Sequence, residues 1–242
     1  MSSENLRSLK WRLAQTLERE ENKNLRESVV DSKNLKYIQM RAQLIESILG
    51  YFVPINESIR ILEIGGAGMP SVDHFRFGQK HSMDPLEDLY EEQYHEALGV
   101  NAFKIRAIAE NIPYQNNSFD AIVMLNVIDH CINPEVVIKE CARILRHSGV
   151  ILVSVNTTSP FFTNIKRIKR FFLKSQSDKM HPHFFSTEDI MKLMTMQFNP
   201  TYTFSTYIDV LAGESPVNST VSSGFGGGLA NHSRFYFIGS KY

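Results

Sequence analysis

A short apolar run that ends in glycines constrains the fold of this chain more than any other feature. Residues 61–68 read ILEIGGAG, so a strand-like segment passes directly into a glycine-rich turn. Glycine lets the backbone turn tightly and lets a ligand approach without meeting a Cβ atom. In doubly wound α/β folds this turn lies at the carboxyl end of a parallel strand, where ligands bind. A turn with only a structural role has the same composition, so other parts of the sequence are needed to distinguish a structural turn from a ligand-binding turn.

Short apolar segments recur along the chain and alternate with segments of helical periodicity. This alternation predicts a parallel sheet with helices on both of its faces. The C-terminal part returns to strand patterns at residues 202–210 and 234–239, on either side of a loop rich in serine and glycine. The earlier strand candidates are residues 59–64, 81–84, 103–105, 121–125 and 150–155.

The helix before the last of these five strands has the clearest boundaries. Asn133 suits the N-cap and Pro134 the first helical position. Arg146 and His147 fall in the predicted last turn, where positive charge complements the helix dipole. Gly149 is expected to end the helix.

The chain is expected to be one α/β domain with additions. Leucines at helical spacing predict an N-terminal helical extension over residues 1–50, followed by the domain at residues 51–242. Residues 156–200 are less regular and are predicted to form a lid or substrate segment, with a second helix beginning near Ser186. The basic amphipathic stretch at residues 161–174 indicates a solvated lid helix, a site for an anionic or lipid-like acceptor, or attachment to a membrane surface.

Composition excludes several classes of function. Basic and acidic residues both number 26, so nothing indicates the basic domain of a nucleic-acid binder. The chain begins without the apolar core of a signal peptide and holds no apolar run long enough to span a bilayer. Cys131 and Cys141 are expected to be buried thiols in a reducing compartment. We therefore expect a cytoplasmic protein without stable membrane insertion.

Two acidic residues lie where a ligand of the glycine turn would need them. Glu63 is inside an apolar strand, where a carboxylate is costly unless a cation or a hydrogen-bond donor meets it. Asp84 follows the glycines by about 20 residues, the spacing at which an acid reaches ribose hydroxyls. Asp84 and Pro85 could equally begin a helix, and a capping carboxylate keeps acceptor capacity for a ligand.

Taken in order, five segments between residues 60 and 155 resemble the class I S-adenosylmethionine-dependent methyltransferases, in the broad group with many small-molecule enzymes. The segments are ILEIGGAG, MDP, AENIPYQNNSFDAIVMLNVIDH, the helix ending in LRHSG, and VILVSV. The resemblance implies a Rossmann-like, doubly wound, mostly parallel seven-stranded sheet with an antiparallel last strand. It also implies S-adenosylmethionine as cofactor.

The resemblance assigns expected roles to individual residues. Glu63 would receive the methionine amine, Asp84 would bind the ribose hydroxyls, and Glu110 would lie near the adenine. The other cofactor-binding residues implied by the resemblance are Gly65, Gly66, Ala67, Gly68, Pro85, Asn111, Ile112, Asn126 and Val127.

The glycine loop departs from the pattern of the family. Ala67 and Met69 occupy positions where the family has glycine. The segment at residues 69–80 also fits poorly as the first helix of such a domain, because it contains Pro70 and Gly78. We therefore expect a rebuilt loop with altered cofactor contacts.

Three histidines are candidates for acceptor chemistry. A hydroxyl acceptor must lose a proton, and histidine is the usual base near neutral pH. His130 follows the fourth strand, whereas His181 and His183 lie in the predicted lid; each could also be a loop histidine without a catalytic role. No cysteine or carboxylate cluster accompanies the histidine pair, so no metal site is predicted.

The sequence leaves alternatives open. An NAD-dependent oxidoreductase would share the glycine turn and the distant acid, but the loop lacks the G-x-G-x-x-G pattern. A non-catalytic binding protein could keep the fold, and the altered loop is compatible with it. A small-molecule acceptor is expected, with oxygen slightly ahead of nitrogen or carbon, and neither its identity nor the oligomeric state can be derived from the sequence.

Overall fold

A computed structural model of the protein describes residue 12 and residues 15–17, 32–66, 70–87, 101–172, 182–205 and 233–242. Within these ranges the chain forms one seven-stranded sheet. Its strands are β1 (Arg60–Ile64), β2 (Gln79–Asp84), β3 (Phe103–Arg106), β4 (Phe119–Leu125), β5 (Leu145–Thr157), β6 (Phe198–Ser205) and β7 (Ser233–Lys241).

The strands are arranged in the order β3-β2-β1-β4-β5-β7-β6. The strands β1 to β5 pair in parallel, whereas β7 is antiparallel to both β5 and β6. The predicted mostly parallel sheet with an antiparallel last strand is therefore confirmed. The predicted start of the sixth strand at Tyr202 is wrong, because the fully buried Phe198 already pairs with Lys241.

Helices cover both faces of the sheet. The described helices are α1 (Ser32–Leu49), α2 (Pro134–Ile144), α3 (Pro160–Phe172) and α4 (Thr187–Met194), with short 3-10 helices at Ser71–His74 and Ile128–His130. The described ranges contain no helix with the length and apolar composition that crossing a bilayer requires.

The helix α1 packs on one face of the sheet. It buries Ile38, Ala42, Ile45 and Leu49, the side chains that the helical spacing predicts on one side. Burial of each large aliphatic side chain stabilises the fold by roughly 1.5–3 kcal/mol. The α1 layer therefore anchors the described part of the N-terminal extension to the domain.

The helices α2 and α4 cover the opposite face. Ser186 accepts a hydrogen bond from the backbone N–H of Asp189, and the Asp189 carboxylate accepts one from the backbone N–H of Ser186. This capping box begins α4 at the predicted position near Ser186. Ile190 and Met194 are fully buried. Residues 187–194 thus contribute to the core layer, while the lid or substrate segment over residues 156–200 stays a prediction.

The predicted end of α2 is wrong. The helix ends at Ile144, and Leu145 has an extended backbone and begins β5 opposite Phe119. A Cβ atom on Gly149 would lie 2.9 Å from the backbone oxygen of Asp120, so this glycine allows a close approach of strands and does not end a helix. Pairing with β4 overrides the local helical pattern of Arg146 and His147.

Candidate active site

The carboxyl ends of β1, β2 and β4 surround a cavity of about 280 Å³. Parallel strands place these ends at one edge of the sheet, and the turn after β3 reaches the same place. Several predicted site residues line the cavity, namely Gly65, Asp84, Pro85, Glu110, Asn126, Val127 and His130.

The first glycine of the turn allows β1 and the end of β4 to approach each other. Gly65 has φ +80°, and a Cβ atom there would lie 2.2 Å from a methyl carbon of Val127. Its N–H donates to the backbone oxygen of Met83 at 2.8 Å. Gly66 packs against Pro70 and does not line the cavity. Ala67 and Gly68 lie outside the described residues.

Asp84 combines a structural contact with a place at the cavity wall. Its Oδ1 atom accepts a hydrogen bond from the backbone N–H of Leu86 at 2.7 Å, which fixes the turn after β2. The side chain is buried at the carboxyl end of β2 and also lines the cavity. Capping and ligand binding, the two sequence-based interpretations, are therefore compatible.

Glu110 is tied to the loop that leads into α2. Its Oε1 atom accepts hydrogen bonds from the backbone N–H groups of Ile132, at 2.6 Å, and Asn133, at 3.1 Å. Asn111 and Ile112 do not line the cavity, and the N–H of Ile112 donates to Glu140. The wall beside Glu110 is formed by Ala107, Ile108 and Ala109.

Glu63 is buried beneath the 3-10 helix at residues 71–74 and is not among the residues that line the cavity. Its Oε2 atom accepts a hydrogen bond from the backbone N–H of Val72 at 2.9 Å. Burial raises the pKa of Glu63 to about 7, while the Val72 N–H and the charge of Arg41 act in the opposite direction. The 3-10 helix also bears out the expectation that no ordinary helix follows this loop.

Asn126 has a left-handed backbone conformation at the wall of the cavity. Its φ is +58°, a region that residues other than glycine rarely adopt and that is enriched at functional sites. The N–H donates to the backbone oxygen of Ser154 at 2.9 Å, whereas the buried side-chain oxygen has no hydrogen-bond partner among the described residues. A buried acceptor without a partner is costly, so this atom is available to a ligand.

The histidine candidates occupy different places. His130 lines the cavity, with its Nε2 atom 3.7 Å from Oδ2 of Asp129. His183 does not line it; its ring stacks on Phe185, and its Nε2 atom lies 3.3 Å from the backbone oxygen of Ile132. His181 lies outside the described residues. In the described part of the chain, no three His, Cys, Asp or Glu side chains form a group that could hold a metal.

Some cavity residues are not predictable from the sequence motifs. Gln15, from the N-terminal extension, lines the cavity although no motif includes it. Ile108 and Cys131 also line it, and each is within two residues of a predicted site residue. Their adjacency to Glu110 and His130 was the only available signal.

The sheet order, the antiparallel β7 and the cavity at the carboxyl ends of the strands define the fold of the class I methyltransferases. Residues 63–153 match the family described as the methyltransferase domain. Over this segment, which is less than half of the chain, the predicted resemblance to the class I S-adenosylmethionine-dependent methyltransferases and the cofactor that it implies are confirmed.

Curated proteins with a distant sequence similarity to this chain are also methyltransferases. The ubiquinone biosynthesis O-methyltransferase of Xanthomonas oryzae is 26% identical over 106 residues, which cover 42% of this chain and 44% of that protein. The chain thus spans less than half the length of the curated relatives it matches.

Two solved structures share the fold over most of the chain. The YcgJ protein from Bacillus subtilis has a TM-score of 0.58 and 15% identity, and the match covers 83% of this chain and 97% of that one. The geranyl diphosphate C-methyltransferase from Streptomyces coelicolor, in complex with Mg²⁺, geranyl diphosphate and S-adenosyl-L-homocysteine, has a TM-score of 0.61 and 9% identity over 83% of this chain and 79% of that one.

Proposed function

We propose that this protein transfers a methyl group from S-adenosylmethionine to a small-molecule acceptor, and that the acceptor atom is oxygen. The observation that carries the proposal is the cavity at the carboxyl ends of β1, β2 and β4, which brings Gly65, Asp84, Asn126 and His130 together. A cavity of about 280 Å³ with one apolar wall and a few polar groups is typical of a small-molecule site.

The residues of the cavity fit the parts of the cofactor. Asp84 offers a carboxylate for the ribose hydroxyls, and Gly65 leaves space where a side chain would block the methionine part. Ile108 and Ala109 provide an apolar surface for the adenine ring. In this proposal Glu63 acts on the positively charged amine from beneath the 3-10 helix at residues 71–74, because Glu63 does not line the cavity.

S-adenosylmethionine supplies an electrophilic methyl group: transfer to a hydroxyl breaks the C–S bond, forms a C–O bond and releases S-adenosylhomocysteine and a proton. The task of the protein is to hold the acceptor in line with the methyl group, which supplies much of the rate. His130 is the cavity residue suited to accept the hydroxyl proton, and Oδ2 of Asp129 lies 3.7 Å from its Nε2 atom. The distant similarity to an O-methyltransferase supports oxygen as the acceptor atom.

A non-catalytic binding protein with the same fold is the second candidate. One specific observation favours it: the Glu63 carboxylate hydrogen-bonds with Val72 and lies outside the cavity, so the contact with the methionine amine expected from the family is altered.

The proposed function also includes four sequence-based predictions. They are the helical extension over residues 1–50, the domain over residues 51–242, the cytoplasmic location and the exclusion of nucleic-acid substrates.

The first experiment is calorimetric titration of the full chain with S-adenosylmethionine, S-adenosylhomocysteine and NAD in parallel. Micromolar binding of the first two, without binding of NAD, supports the proposal. An acceptor screen with radiolabelled methyl donor then separates the two candidates, because only the enzyme gives a labelled product. Binding of NAD alone overturns the proposal.

A further inference from the structure

The helix α3 carries exposed apolar side chains along one face. Phe161, Ile165 and Ile168 are spaced by four and three residues, so they lie on the same side of the helix. Their exposed fractions are 69%, 37% and 60%. The rings of Phe161 and Phe162 are in edge contact, with their centroids 5.5 Å apart, so the apolar surface continues around the first turn. A contiguous exposed apolar face is typical of a surface that binds a partner.

A different side of α3 attaches the helix to the domain. Thr163 is buried and follows Phe161 by two residues, so the two side chains do not share a face. The Thr163 hydroxyl lies 2.7 Å from the hydroxyl of Thr158, next to the end of β5. A helix that packs on its own domain normally buries its apolar face and exposes its polar one. In α3 a threonine is buried while three large apolar side chains are exposed, so packing on the domain does not account for the apolar face.

The sequence of α3 is strongly basic. It contains Lys166, Arg167, Lys169 and Arg170, and none of its thirteen residues is acidic. The whole chain, in contrast, has 26 basic and 26 acidic residues. Positive charge is therefore concentrated on the helix that exposes the apolar face. This combination is complementary to an anionic lipid surface, which offers negative headgroups beside an apolar layer.

The length of α3 determines how such a helix meets a bilayer. Thirteen residues of α-helix extend about 20 Å, whereas the hydrocarbon core of a bilayer is about 30 Å thick. The helix is therefore too short to span the membrane and is suited to lie in the plane of the interface. In that orientation the apolar face enters the boundary of the acyl chains and the basic residues meet the headgroups.

The helix begins at the edge of the sheet that holds the cavity. The strand β5 runs parallel to β4, with Ser154 opposite Leu125, so the carboxyl ends of both strands lie at that edge. The first residue of α3, Pro160, comes three residues after the end of β5. A lipid surface bound by α3 would thus lie at the end of the domain that contains the cavity.

We propose that α3 attaches this protein peripherally to an anionic lipid bilayer, with Phe161, Ile165 and Ile168 in contact with the lipid. Attraction between the basic residues and the headgroups brings the helix to the surface, and burial of the apolar face holds it there. Of the three sequence-based interpretations of residues 161–174, this is the attachment to a membrane surface. It goes beyond the proposed function and does not depend on it.

The test is co-sedimentation of the full chain with vesicles of phosphatidylcholine alone, or of equal parts phosphatidylcholine and phosphatidylglycerol. We expect binding to the anionic vesicles to be at least about tenfold tighter, because each basic residue near an anionic surface contributes about fivefold in affinity. Raising NaCl from about 0.1 M to about 0.5 M should weaken this binding, because salt screens the attraction. Equal affinity for both vesicles, or binding to neither, overturns the proposal.

Variants of the apolar face decide whether α3 is the segment that binds. Phe161→Ser and Ile168→Ser are each expected to weaken binding to the anionic vesicles at least about fivefold, because less apolar surface enters the lipid. Both side chains are exposed, so the melting temperatures should stay close to that of the wild type. The control is Tyr51→Ser, since Tyr51 is an aromatic residue outside α3 that is 87% exposed. Wild-type binding by both α3 variants, or an equal loss in the control, would contradict the proposal.

A charge variant tests the basic residues in the same way. Lys166→Gln/Lys169→Gln should weaken binding to the anionic vesicles at least about tenfold. The matched control is Lys139→Gln/Lys192→Gln, which removes two charges from exposed positions on α2 and α4. If the two double variants lose equal affinity, the attraction is nonspecific and the proposal fails.

A second copy of the chain is the competing occupant of the apolar face. Sedimentation velocity without lipid tests it, because a dimer that Phe161→Ser dissociates would show that the face binds another copy, and would overturn the proposal. Fluorescence gives a direct readout at the helix: the emission of Phe161→Trp should shift to the blue with anionic vesicles, relative to the wild type with its one tryptophan. Tyr51→Trp should show no added shift. A vesicle-bound Phe161→Trp variant without a blue shift would place the lipid contact elsewhere and overturn the proposal.

Discussion

The Oε2 atom of Glu63 accepts a hydrogen bond from the backbone N–H of Val72 at 2.9 Å, which ties the end of β1 to the 3-10 helix that follows the glycine loop. The carboxyl is buried, and burial raises its pKa to about 7. Because the carboxyl of the unfolded chain titrates near 4.5, folding is coupled to the protonation of Glu63.

We expect Glu63→Gln to remove a pH dependence of stability. A raised folded-state pKa gives a contribution that is fully present below pH 4.5 and is lost as pH rises through about 7. Between pH 5 and 8 the wild type should lose up to about 3 kcal/mol of unfolding free energy relative to the Gln variant. Urea unfolding across this range measures the difference, with the exposed Glu57→Gln as control. Parallel profiles for wild type and Glu63→Gln would contradict the shift.

Asp84 is predicted to act on the cofactor through its charge. Asp84→Asn keeps an oxygen that can accept from the N–H of Leu86 but loses the carboxylate, so the turn should persist. Hydrogen bonds to charged groups contribute about 1.5–3 kcal/mol, which corresponds to a loss of roughly 10- to 100-fold in affinity for S-adenosylhomocysteine. Calorimetry measures this loss, and the melting temperature of Asp84→Asn should stay close to that of the wild type. Unchanged affinity for S-adenosylhomocysteine in the Asn variant would show that Asp84 only stabilises the turn after β2 and does not bind the cofactor.

Glu110 is expected to act mainly on stability. Glu110→Ala removes the acceptor for the N–H groups of Ile132 and Asn133 and should cost about 2 kcal/mol of unfolding free energy. Glu110→Gln keeps an acceptor oxygen and should recover most of that loss. Its affinity for S-adenosylhomocysteine should fall less than about threefold. A tenfold fall in the Gln variant would instead support the direct role near adenine that the family resemblance implies.

The sequence was sufficient to predict which strand ends surround the cavity. Gly65, Asp84 and Asn126 follow three parallel strands, and parallel pairing necessarily brings such ends to one edge. The contacts of Glu63 and Glu110 were not predictable, because each carboxylate binds backbone N–H groups of a separate segment. Because every residue except proline has a backbone N–H, a contact with such a donor leaves no pattern in the sequence.

Tertiary contacts explain the other differences between the sequence-based predictions and the observed structure. The residues after Ile144 fit a helical last turn by composition, but Leu145 pairs with Phe119 and the chain becomes a strand. Arg41 on α1 and Arg234 on β7 line one small cavity although they are nearly 200 residues apart in the sequence. Only the packing of α1 on the sheet brings them together.

Gly65 is expected to be intolerant of a side chain. Gly65→Ala would place a Cβ atom 2.2 Å from a methyl carbon of Val127 and would also strain a backbone at φ +80°. We expect a loss of at least about 2 kcal/mol in urea unfolding. The double variant Gly65→Ala/Val127→Ala should regain the part due to the steric contact. Gly50→Ala is the control, because its Cβ would approach no atom closer than 3.3 Å; similar losses at both glycines would exclude the steric explanation.

His130 is predicted to accept the proton of a hydroxyl acceptor. It is the histidine that lines the cavity in the described part of the chain, and Asp129 lies 3.7 Å from its ring. Once an acceptor is found, His130→Ala should lower kcat by about 10²- to 10⁴-fold, while the affinity for S-adenosylhomocysteine changes less than threefold.

The matched control for His130→Ala is His147→Ala, since His147 is exposed on β5 and does not line the cavity that contains His130. The acidic limb of the pH–rate profile should disappear in the His130 variant and persist in the His147 variant, because only a general base must be unprotonated to act. If kcat and the acidic limb are unchanged in His130→Ala, the acceptor does not lose its proton to this residue. A nitrogen or carbon acceptor that needs no general base would then be favoured over oxygen.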